Sequence, residues 1–261
     1  MRPHLETPLR VRGLEYGGPK PLFCVPLVAS DWKHLLAQAE AAHELAADLV
    51  EWRADFYEDA TVNGFVDSLG RLRDVLGDAP VIFTLRIKAE GGAREMPREA
   101  RKACIEGVGS SRLADILDIE LCNDTAFLES VLSVAREHGV RVILSFHDFE
   151  KTPATEDLLG KLTLMERRGA DIAKIAVMPQ TPGDVLRLLE VTLEARNRFP
   201  RLALCTMSMG PLGALTRTAG FLFGSDMAFA VGQQSSAPGQ IPIVEARSIA
   251  GKLLGYTRAG S

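Results

Sequence analysis

A closed (β/α)8 TIM barrel, an α/β fold, is the class this sequence predicts, and three observations carry it. Short runs rich in Val, Ile and Phe alternate with longer segments of helical period, eight times over nearly the whole chain. The first run leads into "VASDW", without the glycine-rich phosphate turn that opens a doubly wound open sheet. No Pro/Ser-rich linker or low-complexity tract interrupts the alternation, so residues 1–261 are read as one domain, of the size usual for such barrels, about 250 residues.

The elements follow in order. Residues 1–22 are an extension whose polar, glycine-bearing "RVRGLEYGGPKP" reads as a short hairpin covering one end of the barrel. "FCVPLVA" from Phe23 is the first barrel strand, and "DWKHLLAQAEAAHELA" after it is a helix with Asp31 as N-cap. "ADLVEWRAD" from Ala47 and "VIFTLR" from Val81 are the second and third strands, and "ADILDIEL" from Ala114 is the fourth. The helix "TAFLESVLSVAREHG" is opened by Asp124 and stopped by Gly139. "RVILSFHDF" from Arg141 is the fifth strand. "DIAKIAVMP" from Asp171 is the sixth, where Ile and Val enrichment between Gly169 and Pro179 favours strand over helix. "LALCTMSM" from Leu202 and "MAFAVG" from Met227 complete the barrel, and "PIVEARSIAGKLLG" is a last helix with Pro242 near its first turn and Gly255 at its end.

Composition removes several function classes. With 46% hydrophobic and 25% charged residues the chain buries a full core, and a net charge of −4 supplies no basic field for nucleic acid. "MRPHLETPLR" lacks the apolar segment of a signal peptide and no apolar run approaches the roughly 20 residues that span a bilayer, so no membrane partner and a cytoplasmic location are expected. Cys24, Cys104, Cys122 and Cys205 form no CxxC pair, which predicts reduced thiols and neither a zinc site nor a disulfide framework.

Chemistry in such barrels sits at the C-terminal ends of the strands. There the sequence places Glu51 and Arg53, Arg86 followed by "IKAEGG", His147, Lys174, Arg217 in "MSMGPLGALTR", and the loop "QQSSAPGQ". Each has a structural reading. Lys174 can be a core-edge lysine paired with a neighbour such as Glu120, Glu51 with Arg53 can be a polar layer, and His147 can be a hydrogen-bonded structural histidine. His34, His43 and His138 fall on helices, and His4 in the terminus. Taken together they allow another: a lysine inside the barrel, crowded by arginines, has its ammonium form disfavoured, and a free amine attacks ketones to form a Schiff base. A histidine can then move the proton α to the imine carbon, and arginines can hold a carboxylate. No metal triad is visible in the sequence.

"EWRAD", "TLR…EGG", "SFHDFEKTP", "GADIAKIAVMPQ", "MSMG…G…TR.AG" and "SSAPGQ" together resemble the type I 3-dehydroquinate dehydratases of the shikimate pathway, from about Phe23 to Ile241. The resemblance implies a carbon–oxygen hydro-lyase that eliminates water from 3-dehydroquinate to give 3-dehydroshikimate, with neither metal nor organic cofactor, commonly as a homodimer. It implies that Lys174 forms the imine, that His147 is the general acid/base and that Glu90 orients it. Glu51, Arg53 and Arg86 would hold the substrate hydroxyls, Arg217 the carboxylate, and Ser236 with Gln240 would contact the ring from a closing loop. Two departures stand out: Pro26 where some members carry serine, and Pro211, Leu212 and Thr216 where lysine, glutamate and serine are often seen. An aldolase-like barrel using the same imine, and a barrel that only binds a carboxylated metabolite, remain alternatives.

Overall fold

The computed structural model describes residues 3–258. A two-residue turn joins β1 (Leu9–Val11) to β2 (Leu14–Tyr16) as an antiparallel hairpin, and eight further strands form one parallel sheet. These are β3 (Leu22–Leu27), β4 (Leu49–Arg53), β5 (Val81–Thr84), β6 (Ile116–Glu120), β7 (Arg141–Asp148), β8 (Ile172–Val177), β9 (Ala203–Ser208) and β10 (Met227–Phe229). The order β10-β3-β4-β5-β6-β7-β8-β9 wraps the sheet nearly closed, as the alternation predicts. Helices follow the strands in turn: α1 (Trp32–Glu44), α2 (Val62–Leu76), α3 (Arg98–Ser111), α4 (Thr125–His138), α5 (Thr155–Arg167), α6 (Pro182–Arg198), α7 (Ala214–Ala219) and α8 (Ile243–Arg258). Asp31 and Asp124 accept backbone N–H groups as N-caps and Gly139 ends α4 in the left-handed region. The last helix runs past Gly255, because one glycine weakens a helix without ending it.

Strand alternation separates two cores. Outward residues such as Val25, Trp52, Phe83, Leu117 and Ile175 pack under the helices. Inward residues Leu49, Ile82, Ile116, Ile143 and Ile172 fill the N-terminal half of the barrel, where hairpin residues Val11 and Tyr16 and the nearby Leu5 close it from below. On these five strands the next inward position is polar: Glu51, Thr84, Asp118, Ser145 and Lys174, all buried. One step further come Arg53, Glu120 and His147, with Arg86 just past β5. A dry apolar plug thus supports a charged upper half, which is the organisation that puts chemistry at the C-terminal mouth.

An aspartate one residue before each even-numbered barrel strand ties it to the strand before. Asp48, Asp115, Asp171 and Asp226 accept the backbone N–H of Phe23, Val81, Val142 and Leu204 at 2.7, 2.8, 2.9 and 2.9 Å. At the seam between β9 and β10, which share no ladder, the tie also closes the barrel: the Asp226 N–H donates to the Leu204 carbonyl at 2.7 Å, and the Thr206 N–H donates to Ser225 Oγ at 3.2 Å. Asp226 is fully buried and pairs with Arg196, itself buried. Asp226→Ala leaves that guanidinium, among the described residues, with only the Gly224 and Leu202 carbonyls and no counter-charge, and is expected to lower the urea-unfolding free energy by about 3–5 kcal/mol. A loss under 1 kcal/mol would show that the seam does not depend on this residue.

Candidate active site

Alternation along β8 aims Lys174 and Ala176 into the barrel, between Ser145 on β7 and Cys205 on β9. The Lys174 ammonium donates to Asp118 at 2.7 Å and to Glu51 at 3.3 Å, and lies 4.4 Å from the centre of the Phe229 ring. Burial acts most strongly on this amine and favours its neutral form, yet Asp118 and Glu51 outweigh it and the Lys174 pKa is raised. The sequence-based expectation of a depressed lysine pKa is therefore corrected: the two carboxylates supply more stabilisation to the ammonium than desolvation and Arg86 remove. The partner is Asp118 rather than Glu120, which is taken by Arg86 and Arg101.

Arg86 organises the next layer. It reaches Asp118 and Glu120 at 2.9 Å each and donates to Ser145 Oγ at 2.8 Å, and these acids raise its pKa against the opposing effect of burial. Ser145 Oγ donates in turn to Asp118 at 2.6 Å. Arg86 and Lys174 together hold the Asp118 carboxyl below the usual carboxylate range, although burial alone would raise it. Arg53 forks onto both Asp55 oxygens at 2.8 Å and donates to the Gly91 carbonyl at 3.0 Å.

"EGG" is a backbone device. After the short 3-10 turn Lys88–Glu90 the chain turns left-handed at Gly91 (φ 85°), and a side chain on Gly92 would strike the Arg86 carbonyl at 2.1 Å. The reversal brings Glu90 Oε2 to within 2.9 Å of His147 Nδ1 and 3.0 Å of the His147 backbone N–H. Burial, then Arg86 and Lys174, push the imidazole well below its ordinary pKa, so it is neutral near pH 7. Burial pushes Glu90 up from 4.5 to about 7. Because the folded chain holds this proton more tightly than the unfolded one, the associated stability is complete below pH 4.5 and lost as pH rises through about 7. The stability of the parent relative to Glu90→Gln should therefore fall by on the order of 2–3 kcal/mol between acid and mildly alkaline solution. A pH-independent difference would contradict the raised Glu90 pKa.

The loop from Gly232 to Gln240 covers the mouth. Gln240 Oε1 accepts from the Ser236 N–H at 3.0 Å and Gln240 Nε2 donates to Ser236 Oγ at 3.1 Å, so the two lock one another. Gly239 takes φ 77° and lies so close to Gly210 that a Cβ would sit 2.2 Å from its carbonyl oxygen. The Gly210 N–H donates to the Pro238 carbonyl at 3.1 Å. The void left beneath is about 40 Å³. That is room for about three waters at ~10–15 Å³ each, so a six-membered-ring ligand enters only if the loop lifts.

Glu51, Arg53, Arg86, Glu90, His147, Lys174, Ser236 and Gln240 all line this one cavity. Arg217 stands behind its wall, 3.6 Å from Met207 Sδ, 3.4 Å from the Phe229 carbonyl and 3.1 Å from that of Pro238. Among the described residues it is the one buried arginine with no carboxylate partner, its Nε is unsatisfied, and burial lowers its pKa to about 10. Sequence reasoning missed Asp118, Ser145 and Asp55, and the apolar lining of Met207, Met209 and Phe229. Asp118 had a readable signal, since "ILDIE" puts two acids on the inward face of an otherwise apolar strand.

The chain as a whole is similar to known proteins. A family model described as Type I 3-dehydroquinase matches residues 23–254. The chain is 44% identical to the 3-dehydroquinate dehydratase of Geobacillus thermodenitrificans, covering 96% of this chain and 97% of that one. The crystal structure of the 3-dehydroquinate dehydratase from Geobacillus kaustophilus superposes with a TM-score of 0.95 at 40% identity, over 98% of this chain and 99% of that one. The type I enzyme from Clostridium difficile, solved with covalently modified comenic acid, gives a TM-score of 0.92 at 34% identity over 96% and 98%.

Proposed function

Since the chain belongs to the type I 3-dehydroquinase family, we propose that it is a 3-dehydroquinate dehydratase of the shikimate pathway, serving aromatic amino-acid biosynthesis, with Lys174 as its Schiff-base residue. The observation that carries the reading is a buried lysine between two carboxylates, facing a cavity shared with a neutral, carboxylate-oriented histidine.

The lysine rests as an ammonium, so the first task is to move a proton. Neutral His147, coupled electrostatically to Lys174, accepts it as the substrate arrives, and the free amine adds to the C3 ketone. The carbinolamine loses its hydroxyl as water, taking the proton back from His147, and leaves a protonated imine. Asp118 and Glu51 then face an iminium where they had faced an ammonium, and keep the electron sink charged. His147 takes a proton from C2 to give the enamine. The enamine expels the C1 hydroxyl, which leaves as water with the proton returned by His147. Hydrolysis of the product imine frees Lys174 and 3-dehydroshikimate.

Glu90 holds the imidazole through Nδ1 and leaves Nε2 for these transfers. Glu51, Arg53 and Arg86 take the substrate hydroxyls, Arg217 offers the carboxylate a guanidinium that has no carboxylate partner among the described residues, and Ser236 with Gln240 close over the ring. Borohydride added to enzyme turning over 3-dehydroquinate should fix a stable adduct on Lys174, located by peptide mass. A folded protein that gains no mass under these conditions refutes the imine.

The chain is further proposed to act in the cytoplasm, a reading supported by its four free cysteines, and as a homodimer. Neighbouring helices α5 and α6 leave Leu164, Leu186 and Leu193 exposed by 42, 58 and 38%, apolar area that a second copy would cover. Light scattering at micromolar concentration should give twice the chain mass; a monomer there would rule the dimer out.

A further inference from the structure

A groove at the N-terminal end of the barrel, opposite the mouth, takes no part in this chemistry. It lies between hairpin strand β1 and the turns that lead into β6 and β7, and its volume of about 280 Å³ is seven times the 40 Å³ void at the mouth. Four arginines, Arg10, Arg12, Arg112 and Arg141, line it together with His138, and Arg12 also meets the exposed Asp78 at 3.6 Å. The chain as a whole carries a net charge of −4, so this concentration of cations runs against the average.

The one carboxylate in the lining, Asp115, is engaged, accepting from Arg12, Arg73 and the Val81 N–H. Arg10 meets Glu15 at 2.6 Å and Arg141 meets Asp171 at 3.1 Å, both exposed pairs that water screens and a stronger anion can displace. The Arg112 side chain makes no ion pair or hydrogen bond among the described residues.

The backbone offers an independent observation. Three non-glycine residues among those described have positive φ, and two are Arg12 (49°) and Arg112 (59°). Arg112 follows the last turn of α3, where glycine or asparagine is the favoured terminator, and an arginine held left-handed carries strain that glycine does not. A task for the guanidinium groups accounts for arginine at both places. Helices α3 and α4 both end here, and partial negative charge at their carbonyl ends gives the cations a competing, purely structural role.

We propose that this groove is a binding site for a phosphoryl group, held by Arg112 and Arg141 with Arg10 and Arg12 at its rim. A tetrahedral dianion suits several forked donors converging from different elements, and the volume leaves space for the organic part of a small phosphate ester. The site is separate from the catalytic pocket, with which it shares no lining residue.

Calorimetric titration of the full chain with inorganic phosphate and with glycerol 3-phosphate, at ionic strength fixed with sodium chloride, tests it. Saturable binding of at least one is expected, weakened tenfold or more in both Arg112→Gly and Arg141→Gln. Arg112→Gly should keep its kcat and a Tm no lower than the parent, because glycine accepts φ 59° without strain. Tighter binding of the ester would identify a metabolite as the source of the phosphoryl group, and tighter binding of inorganic phosphate the free anion. The proposal is overturned if neither phosphate binds above the chloride background. It is equally overturned if Arg112→Gly lowers Tm and binds phosphate as the parent does, which would mark Arg112 as a helix-end counter-charge.

Discussion

Lys174→Ala is expected to lose about four orders of magnitude or more in kcat, because among the described residues no second lysine lines the cavity to replace the amine. The fold should survive the change. Asp118 keeps its contact with Arg86 at 2.9 Å and Glu51 keeps the Thr84 hydroxyl at 2.9 Å, so neither carboxylate is stranded. The stability cost therefore belongs at or below the lower end of the ~3–5 kcal/mol typical of a broken buried pair. Lys174→Met, which retains the apolar stem, should be equally inactive and closer to the parent in Tm. Rates are read from ultraviolet absorbance of the enone product, with circular dichroism on the same samples. Turnover within tenfold of the parent would sink Lys174 as the nucleophile.

Removal of the acid/base is the second large effect. His147→Ala should cut kcat by about 10²–10⁴-fold, the usual worth of a positioned proton carrier, with imine formation slowed but not abolished because water can still take the Lys174 proton. Borohydride should then trap an adduct that the parent turns over. A reduced-imine adduct of substrate mass less one oxygen places the block at C2 deprotonation, and one lighter by a further water places it at imine hydrolysis. Because burial and its cationic neighbours hold His147 neutral, the acidic limb of the parent's kcat/KM should fall below the ordinary histidine range. A parent-like rate in His147→Ala, or an acidic limb at or above that range, would contradict the assignment.

The protonation of Lys174 depends on more than its own strand. Desolvation was readable from an apolar strand, and on that ground a neutral amine was the natural expectation. The carboxylates that reverse it lie 56 and 123 residues away, on β6 and β4. In the proposed mechanism the same pair of acids serves twice: a site that stabilises a cation at Nζ before reaction would stabilise the iminium after it. The proposed mechanism then requires one proton to leave before attack, and neutral His147, which lines the same cavity, is its proposed acceptor.

Other features divide in the same way. The hairpin, the eight strand–helix repeats and the inward aim of Lys174 and Ala176 were legible, because alternation and turn chemistry are local properties of a few residues. So was the gathering of Glu51, Arg53, Arg86, Glu90 and His147 at one end, since strand ends in a barrel share a rim. The position of Arg217 behind the Met207 and Phe229 wall was not legible, nor was the Asp226 tie that closes the seam, nor the small void under the docked loop.

By itself the sequence determined which face of each strand every side chain takes and which end of the barrel carries the charge. The tertiary structure alone decided which charges touch. Period two assigns a face but not a partner across the barrel: that depends on strand tilt and stagger, which set Asp118 rather than Glu120 under Lys174. Protonation follows from those contacts, because a buried charge is governed by the few groups within hydrogen-bond reach.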